Sequence, residues 1–285
     1  MGGPDTGVPD MAVSGMDVHG KGVLVTGAGR GIGRAIAARM SDGGARVVVN
    51  DLDADAARAV AEEIGGHAVP GDAAGEAGVA VLVDAAREHL GAIDIYFANA
   101  GTDLGGGLDT PAEDWAQALE VNVMAHVRAA QQLVPTWLEA GGGRFVVTAS
   151  AAGLLTMLGN APYSVTKHAV VAFAEWLSAT YGNRGINVQV ICPQGVRTRM
   201  LDNAGPLQEL LSRDTALEPE QVAETVWQAL ADDRFLILPH LEVQAYYEHR
   251  AAHTDHWLAG MRKLQGRLDD RPFPHIDPNI SEEIS

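Results

Sequence analysis

Two residues of a mostly apolar stretch, Tyr163 and Lys167 in "APYSVTKHAV" (161–170), have side chains suited to proton transfer. Helix positions four apart lie on one face, so the phenol and the ammonium can meet over one spot. A free phenol has a pKa of about 10, too high for a base at neutral pH. A neighbouring ammonium would lower that pKa. The alternative is a Tyr that packs by its ring and a Lys that extends to water.

Strand and helix patterns alternate along the chain. Predicted strands cover Val23–Val25, 45–51, 144–150, 186–192 and 234–239, with a short strand and turn in 67–73 and a strand that runs into a tight turn in 92–101. Predicted helices follow the glycine-rich turn after the first strand and cover 53–64, 76–90, 111–139, 162–182 and 219–231. This alternation predicts an α/β fold, a doubly wound (Rossmann-type) parallel sheet of about seven strands with helices on both faces, in a single domain.

The ends of the chain are assigned different roles. Residues 1–19 hold Gly, Pro, Asp and Met without a basic start or an apolar core, which predicts a flexible tail rather than a signal peptide. Residues 20–240 form the predicted dinucleotide-binding and catalytic domain. Residues 241–285 form a C-terminal extension with a predicted helix from Leu241 to Leu268 and a tail rich in Pro and acidic residues.

Composition limits the partners. The formal charge of -17 over 285 residues argues against nucleic acid or an anionic membrane as a partner. No apolar run is long enough to predict a membrane span. Cys192 is the single cysteine, so an intramolecular disulfide and a Cys-rich zinc site are both excluded. A cytoplasmic location fits this cysteine usage.

The stretch "TGAGRGIG", Thr26 to Gly33, follows the first strand and opens a helix. Glycines in such a turn let backbone N–H groups approach a pyrophosphate, and the helix N-terminus adds partial positive charge. The glycines Gly27, Gly31 and Gly33 depart from the general G-x-G-x-x-G spacing. The alternative is a glycine-rich turn without a ligand.

An acidic residue, Asp51, closes the second strand about twenty residues further on. A carboxylate there can accept both hydroxyls of an adenosine ribose and would repel a 2′-phosphate, which favours NAD over NADP. Arg30 points the other way, because a guanidinium at the loop tolerates a phosphate. An ordinary strand-end residue in an Asx turn is the alternative for Asp51.

Taken together, these residues resemble the short-chain dehydrogenase/reductase family, in its standard-length branch, over roughly residues 20 to 240. On the cofactor side the matching positions are Thr26, Gly27, Gly31, Gly33, Asp72, Ala73, Asn99, Ala100 and Gly101. The matching catalytic positions are Asn122, Ser150, Tyr163 and Lys167. Any one match is weak, whereas all of them in this order and spacing are specific.

The resemblance implies an oxidoreductase that moves hydride between NAD and a secondary alcohol or ketone, with no metal. Tyr163 would exchange the hydroxyl proton, Lys167 would also hold the nicotinamide ribose, and Ser150 would donate to the substrate oxygen. Asn122 would hold a water that links Lys167 to solvent. Further cofactor contacts are implied for Arg30, Ile32, Asp51, Leu52, Pro193, Val196 and Thr198. The alternatives are a capping hydroxyl for Ser150 and, for Asn122, a buried amide that satisfies backbone groups.

One segment departs from the family. In "CPQGVRT", Cys192 to Thr198, Gln194 stands where the family commonly has Gly. Two outcomes stay open: the Gln194 side chain bonds a second substrate oxygen, or it faces solvent.

The predicted substrate pocket is largely apolar. By resemblance it is walled by the loop between Ser150 and Tyr163 and by a mobile segment, Arg199 to Leu217. Its apolar residues are Leu154, Leu155, Met157, Met200 and Leu201, and the predicted substrate contacts are Ser150, Leu155, Met157, Tyr163, Gln194 and Met200. These predict a hydrophobic secondary alcohol or ketone. The alternative is that the apolar residues belong to the core or to a subunit contact.

The C-terminal helix raises two further expectations. His249 and His253, four apart, could ligate a metal, but a solvated helix face is favoured. The apolar set Trp257, Leu258, Met261 and Leu264 is expected to pack on a neighbouring subunit or to cover the site.

The resemblance also implies a homo-oligomer, a dimer or a tetramer, formed by the helices 111–139 and 163–182. Two rival functions remain: an NADPH-preferring carbonyl reductase, and a non-catalytic dinucleotide-binding module that senses redox state.

Overall fold

The computed structural model describes residues 16–204, 208 and 216–269, and the predicted N-terminal tail from 1 to 15 lies outside them. Seven strands form one sheet in which every pairing is parallel. They are β1 (Gly22–Val25), β2 (Arg46–Val49), β3 (His67–Ala68), β4 (Ile95–Ala98), β5 (Gly143–Thr148), β6 (Ile186–Ile191) and β7 (Leu236–Ile237). Their order is β3-β2-β1-β4-β5-β6-β7, which confirms the predicted doubly wound sheet.

The helices cover both faces of this sheet. They are α1 (Gly31–Asp42), α2 (Ala54–Glu63), α3 (Glu76–Leu90), α4 (Ala112–Leu119), α5 (Ala125–Ala140), α6 (Ala161–Tyr181), α7 (Arg199–Asp202), α8 (Pro219–Asp232), α9 (Glu242–Ala252) and α10 (Thr254–Asp269). One apolar core lies between the sheet and α3, α5 and α6, and a second lies between the sheet and α1, α2 and α8. Strands buried on both faces read as continuous apolar runs, which is why β1 is "GVLV" and β2 ends in "VVV".

The strand order reverses between β1 and β4. The chain leaves β1 toward β2 on one side and returns to β4 on the other, so the loops after these two strands part at the carboxyl edge. In open parallel sheets this crevice is where ligands bind. The glycine loop after β1 and the "NAG" turn after β4 therefore face each other.

Two predicted helices are wrong in detail. The predicted helix 111–139 contains a π-helical segment, Glu120–Met124, between α4 and α5. In it the backbone N–H of Ala125 reaches back five residues to the Glu120 carbonyl, a wider turn than a regular α-helix makes. The segment contains Asn122, and π-turns of this kind concentrate at functional sites.

The predicted C-terminal helix, Leu241 to Leu268, is two helices, α9 and α10. His253 leaves the helical region with φ −138° and ψ 51°, which ends α9. Two contacts stabilise the break. The Thr254 hydroxyl donates to the Arg250 carbonyl at 2.9 Å, and the Trp257 N–H donates to the His253 carbonyl at 2.9 Å.

The third strand is short, as predicted, and the last strand is shorter than predicted. Only His67 and Ala68 pair with β2, and Pro70, which has no N–H to donate, follows closely. Only Leu236 and Ile237 pair with β6. Among the helices of the described residues, none is long and apolar enough to cross a bilayer.

Candidate active site

The glycine loop packs against the turn after β4. A Cβ placed on Gly33 would lie 2.3 Å from the Gly27 carbonyl oxygen and 2.4 Å from the Asn99 amide nitrogen, so only glycine fits there. Gly27 has φ +59°, a left-handed conformation that favours glycine. No side chain caps the N-terminus of α1, and its first turn holds no acidic residue. Its N–H groups and partial positive charge therefore remain available to an anionic group.

Side-chain hydrogen bonds join the ends of β1 and β4. The Thr26 hydroxyl donates to the Phe97 carbonyl at 3.2 Å and accepts from the N–H groups of Asn99 and Ala100, each at 3.0 Å. The Asn99 amide donates to the carbonyls of Thr26 at 3.0 Å and Gly27 at 3.1 Å. These bonds hold the ends of β1 and β4 together and thereby fix the distance between the two loops that line the crevice.

The Asp51 carboxylate lies beside the glycine loop. One oxygen accepts from the Gly29 N–H at 2.9 Å, and the other closes an Asx turn by accepting from the Asp53 N–H at 3.0 Å. Asp51 therefore forms the Asx turn given above as its alternative role, and it also contacts the glycine loop. The Arg30 guanidinium pairs with Asp53 at 2.8 Å. Exposed pairs of this kind are weak, but this one directs Arg30 toward a carboxylate.

Three further predicted cofactor positions are Leu52, Asp72 and Ala73. Leu52 is exposed at 74%, and Ala73 is buried. Asp72 is exposed, and its carboxylate accepts from the N–H groups of Ala74 and Gly75, each at 2.8 Å, which holds the turn before α3. A cavity of about 240 Å³ lies nearby, and Asp72, Val69, Pro70 and Leu82 are among its lining residues.

Tyr163 and Lys167 lie on one face of α6, as their spacing predicts. The Asn160 side chain caps α6 by accepting from the Tyr163 N–H at 3.1 Å. Both candidate residues are buried, and the Lys167 ammonium lies 5.5 Å from the centre of the Tyr163 ring. Lys167 donates to the Thr148 carbonyl at the end of β5, at 3.0 Å. A Cβ on Gly101 would lie 3.4 Å from the Lys167 nitrogen, so the turn after β4 passes directly over this ammonium.

The predicted direction of the Tyr163 pKa is wrong for the described residues. Burial raises the pKa of the Tyr163 phenol above its ordinary value, and the Asp103 carboxylate adds to the rise, whereas Ser150 lowers it by a smaller amount. Burial lowers the pKa of Lys167 to about 8. Burial of the phenol, rather than the attraction between phenolate and ammonium that the sequence suggested, sets the direction of the shift.

Ser150 and Asn122 border the same pair. The Ser150 hydroxyl accepts from the Ala152 N–H at 3.1 Å and lies 3.5 Å from the Pro193 carbonyl, so it does cap a short turn. The fully buried Asn122 accepts from the Thr102 N–H at 2.8 Å and donates to the Thr102 carbonyl at 2.9 Å. The Asn122 side chain thus satisfies backbone groups, the alternative stated for it above.

The loop after β6 contacts the turn at Ser150 and the glycine loop. The Pro193 carbonyl accepts from the Ala151 N–H at 2.8 Å, and Val196 is buried. The Thr198 hydroxyl donates to the Val196 carbonyl at 3.2 Å, and its methyl group lies against Gly31. The Gln194 N–H donates to the His240 ring nitrogen Nδ1 at 3.1 Å. This bond fixes the path of the loop at Gln194, the residue that departs from the family pattern.

One apolar side chain, Met200, contacts the Tyr163 hydroxyl in the described residues. The predicted contacts Leu155, Met157 and Ile32 are partly buried. The Met200 sulfur lies 3.9 Å from the Tyr163 hydroxyl, and Met200 is 40% exposed. Of the predicted segment from 199 to 217, residues 205–207 and 209–215 lie outside the described residues. The parts that are described place a thioether next to the candidate acid.

Histidines meet at the break between α9 and α10. His249 Nε2 lies 3.3 Å from His256 Nδ1, and the His253 ring centre is 5.2 Å from that of His249. All three are exposed. Over the described ranges, no group of three His, Cys, Asp or Glu side chains is arranged to hold a metal ion. Trp257, Met261 and Leu264 are partly buried, whereas Leu258 is 43% exposed.

Comparison with known proteins agrees with this arrangement. A family model described as short chain dehydrogenase matches residues 21–208. The chain belongs to this family. It is therefore an oxidoreductase of CH–OH groups.

Relatives of this short-chain dehydrogenase are similar over most of their length. It is 37% identical to 1-deoxy-11-beta-hydroxypentalenate dehydrogenase of Streptomyces exfoliatus, over 78% of this chain and 84% of that one. It is 31% identical to cyclohexanol dehydrogenase of Acinetobacter sp. strain SE19, over 75% of this chain and 89% of that one. A crystal structure of a short chain dehydrogenase/reductase from Burkholderia phymatum in complex with NAD matches at a TM-score of 0.77 and 30% identity, over 84% of this chain and 95% of that one.

Sequence reasoning missed several residues that shape the site of this short-chain dehydrogenase. Asn160 caps α6, and its signal was available: an Asn three residues before the Tyr, at a predicted helix start. Asp103, His240 and Arg250 carry no local signal, because they reach the site only through tertiary contacts.

His126 is a further missed residue, buried in α5 directly after the π-helical segment. Its Nε2 is buried and has no hydrogen-bond partner within the described residues. Burial, with a contribution from the Lys167 charge, lowers the pKa of His126 to about 3. The imidazole is therefore neutral at neutral pH.

This burial predicts acid sensitivity. As pH falls below 6.5, the ordinary value, the unfolded chain takes up a proton at His126, while the folded protein does not until about pH 3. Stability is thus lost as pH falls across that window and is unaffected above it. Between pH 7 and pH 5 we expect His126 to account for a loss of about 2 kcal/mol.

The measurement is urea unfolding at both pH values, for the wild type and His126→Leu. The variant should show a smaller difference between pH 7 and pH 5. An equal difference in both proteins would contradict the assignment, whatever the absolute stability of the variant.

Proposed function

We propose that this short-chain dehydrogenase transfers hydride between NAD and a hydrophobic, cyclic secondary alcohol or its ketone. The observation that carries the proposal is the placement of Tyr163 and Lys167. The two side chains lie together at the carboxyl edge of the sheet, under the turn that faces the glycine loop. A proton-transfer group thus adjoins a crevice suited to a dinucleotide.

The cofactor crevice fits NAD. The uncapped N-terminus of α1 and the close-packed glycines suit a pyrophosphate, and Asp51 lies where it can accept the ribose hydroxyls. A 2′-phosphate would meet the negative charge of Asp51, while Arg30 is already engaged by Asp53. We therefore assign a preference for NAD over NADP.

In this proposal NAD supplies the carbon that accepts or donates the hydride, and the protein manages the proton. Tyr163 is the acid and base, Ser150 orients the substrate oxygen, and Lys167 holds the nicotinamide ribose and the charge beside Tyr163. Asn122 fixes the Thr102 backbone at the π-helical turn. Because Tyr163 has a raised pKa and keeps its proton at neutral pH, carbonyl reduction is favoured at neutral pH and alcohol oxidation at alkaline pH.

The substrate class follows from the apolar wall and from the relatives. Leu155, Met157 and Met200 suit a hydrocarbon ring rather than a sugar. Two relatives are named for cyclic alcohols, hydroxypentalenate and cyclohexanol. The test is NADH formation with cyclohexanol, a fused-ring secondary alcohol and an acyclic polyol. Turnover of the polyol alone would refute the assignment.

We also propose that the protein is a homo-oligomer in a reducing cytoplasm, where the buried, free Cys192 fits. Exposed apolar residues cluster on the helices predicted to pair: Leu119, Met124, Val165 and Trp176 are between 39% and 56% exposed. Such a face is expected to be covered in solution. Light scattering of the purified protein should give a dimer or tetramer mass, and Trp176→Glu should lower it. A monomeric wild type would contradict the proposal.

A further inference from the structure

A carboxylate that no motif predicted lies beside the N-terminus of α6, the helix that carries Tyr163. Asp103 follows the "NAG" turn after β4 and is partly buried. One of its oxygens accepts from the Gly105 N–H at 3.1 Å and also from the side-chain amide of Asn160. Asn160 in turn caps α6 at Tyr163. Asp103 is thus tied to the helix end that carries the candidate acid.

Neighbouring contacts hold the Asp103 loop in place. The Ala161 N–H donates to the Gly106 carbonyl at 3.0 Å, which attaches the loop to the start of α6. On the other side Asn122 binds both backbone groups of Thr102. These contacts hold the loop on both sides of Asp103, so the position of the carboxylate beside the N-terminus of α6 is a property of the fold.

The charge of Asp103 acts on Tyr163 and on Lys167. It adds to the rise in the pKa of Tyr163 and partly opposes the lowering of the pKa of Lys167 by burial, so the carboxylate lies within electrostatic reach of both groups. In the described part of the chain, no Lys, Arg or His side chain forms an ion pair with Asp103. The other Asp103 oxygen accepts no hydrogen bond from those residues, because the bonds from Gly105 and Asn160 both go to the first oxygen.

A carboxylate oxygen beside the substrate is costly to desolvate when the substrate binds, unless the substrate offers a hydrogen-bond donor. Leu155, Met157 and Met200 offer no such donor. An unsubstituted hydrocarbon ring would bury the carboxylate without compensation. A ring with a hydroxyl or ammonium group would replace the lost water with a charge-assisted hydrogen bond.

We propose that Asp103 binds a second polar substituent of the substrate, a hydroxyl or ammonium group that donates a hydrogen bond beside the reacting carbinol. This inference rests on the proposed function and narrows it, from a hydrophobic cyclic alcohol to one with an additional donor. Asp103 is then a specificity-determining residue, whereas Asn160 and Thr102 position it.

The test compares substrates built on one ring. They are cyclohexanol, the 1,2- and 1,3-cyclohexanediols, 2-aminocyclohexanol and 2-methoxycyclohexanol, whose methoxy group can only accept. The variant is Asp103→Asn, which keeps one oxygen for Gly105 and Asn160 but removes the charge and the second acceptor. Asp109→Asn is the matched control, because Asp109 is an exposed carboxylate of the same loop.

In the wild type, kcat/KM should be higher for a diol or the amino alcohol than for the methoxy compound. Asp103→Asn should lower the ratio of kcat/KM for the donor substrate to that for cyclohexanol by about tenfold or more, mainly through KM. A larger drop for the amine than for the diol identifies an ammonium as the partner, and the opposite identifies a hydroxyl. Asp109→Asn should leave these ratios as they are.

Equal ratios in the wild type and Asp103→Asn, with unchanged thermal unfolding, would overturn the inference while the proposed function stands. A variant that lowers turnover of every substrate by one common factor would also overturn it, because that result indicates a structural role for Asp103. Absence of NADH formation with every ring alcohol would overturn the proposed function and this inference with it.

Discussion

Replacing Tyr163 with Phe is expected to reduce turnover by a factor of about 10² to 10⁴, the usual contribution of general acid–base catalysis. The variant loses one hydroxyl and keeps the ring, whose centre lies 5.5 Å from the Lys167 ammonium. The buried position should tolerate this, since the hydroxyl contacts only the Ser150 side chain and, at 3.9 Å, the Met200 sulfur among the described residues. Steady-state rates with a ring alcohol and NAD measure the effect.

The control for Tyr163→Phe is cofactor binding. NADH fluorescence titration should give a similar dissociation constant in the variant and the wild type, because the phenol is assigned to the proton and not to the pyrophosphate. A variant that retains more than a tenth of the wild-type rate would remove Tyr163 from the chemistry.

The pH profile gives a second readout of the same residue. Burial and Asp103 raise the Tyr163 pKa, while Ser150 lowers it, and the nearby Cys192 adds to the rise. The wild-type rate of alcohol oxidation should therefore still be climbing above pH 8, whereas the rate of ketone reduction should fall with rising pH. Any residual rate of Tyr163→Phe should lack this dependence.

Replacing Asp51 with Asn is expected to change the cofactor preference. The carboxylate is assigned to the ribose hydroxyls, and hydrogen bonds to a charged group contribute about 1.5–3 kcal/mol, so kcat/KM for NAD should fall by roughly 10- to 100-fold. Loss of the negative charge should raise kcat/KM for NADP in the same variant. The ratio of the two constants therefore moves by more than either one.

Asp55→Asn is the matched control for Asp51→Asn. Asp55 lies in the first turn of α2 and pairs with Arg58 on the surface, so its loss changes net charge by the same amount. Asp51 also holds the Gly29 and Asp53 N–H groups, and Asn retains one of these bonds. Thermal unfolding of both variants separates a loosened loop from a lost ribose contact. An unaltered NAD-to-NADP ratio would contradict the role given to Asp51.

The fold was predictable because its signals are local and repeated. Each buried strand is a short apolar run followed by a turn and an amphipathic helix, and the glycine loop marks the first crossover. The positions of Tyr163 and Lys167 on one face follow from helical spacing alone. The break at His253 was not predictable from periodicity, because the apolar pattern continues through it and the contacts that stabilise it involve Thr254 and Trp257.

The direction of the Tyr163 pKa shift was predicted less well than the identity of the residues in the site. Spacing indicates that Lys167 can approach Tyr163, but it carries no information about how much water reaches them. Asp103 enters from a loop about sixty positions earlier in the chain, and only the folded arrangement brings its charge near the phenol. Burial and distant charges are properties of the tertiary structure, so the sign of the Tyr163 pKa shift could not be read from residues 161–170.

The Arg250 side chain donates a hydrogen bond to the Leu154 carbonyl, in the turn that begins at Ser150. Val243, in the same helix, is fully buried in the main core, and His240 just before it binds the Gln194 N–H. The segment beyond residue 239 therefore stabilises both loops beside the candidate site and packs as part of the folded domain. A recombinant fragment truncated there would expose core surface and release both loops, so the minimal folding unit extends at least through α9.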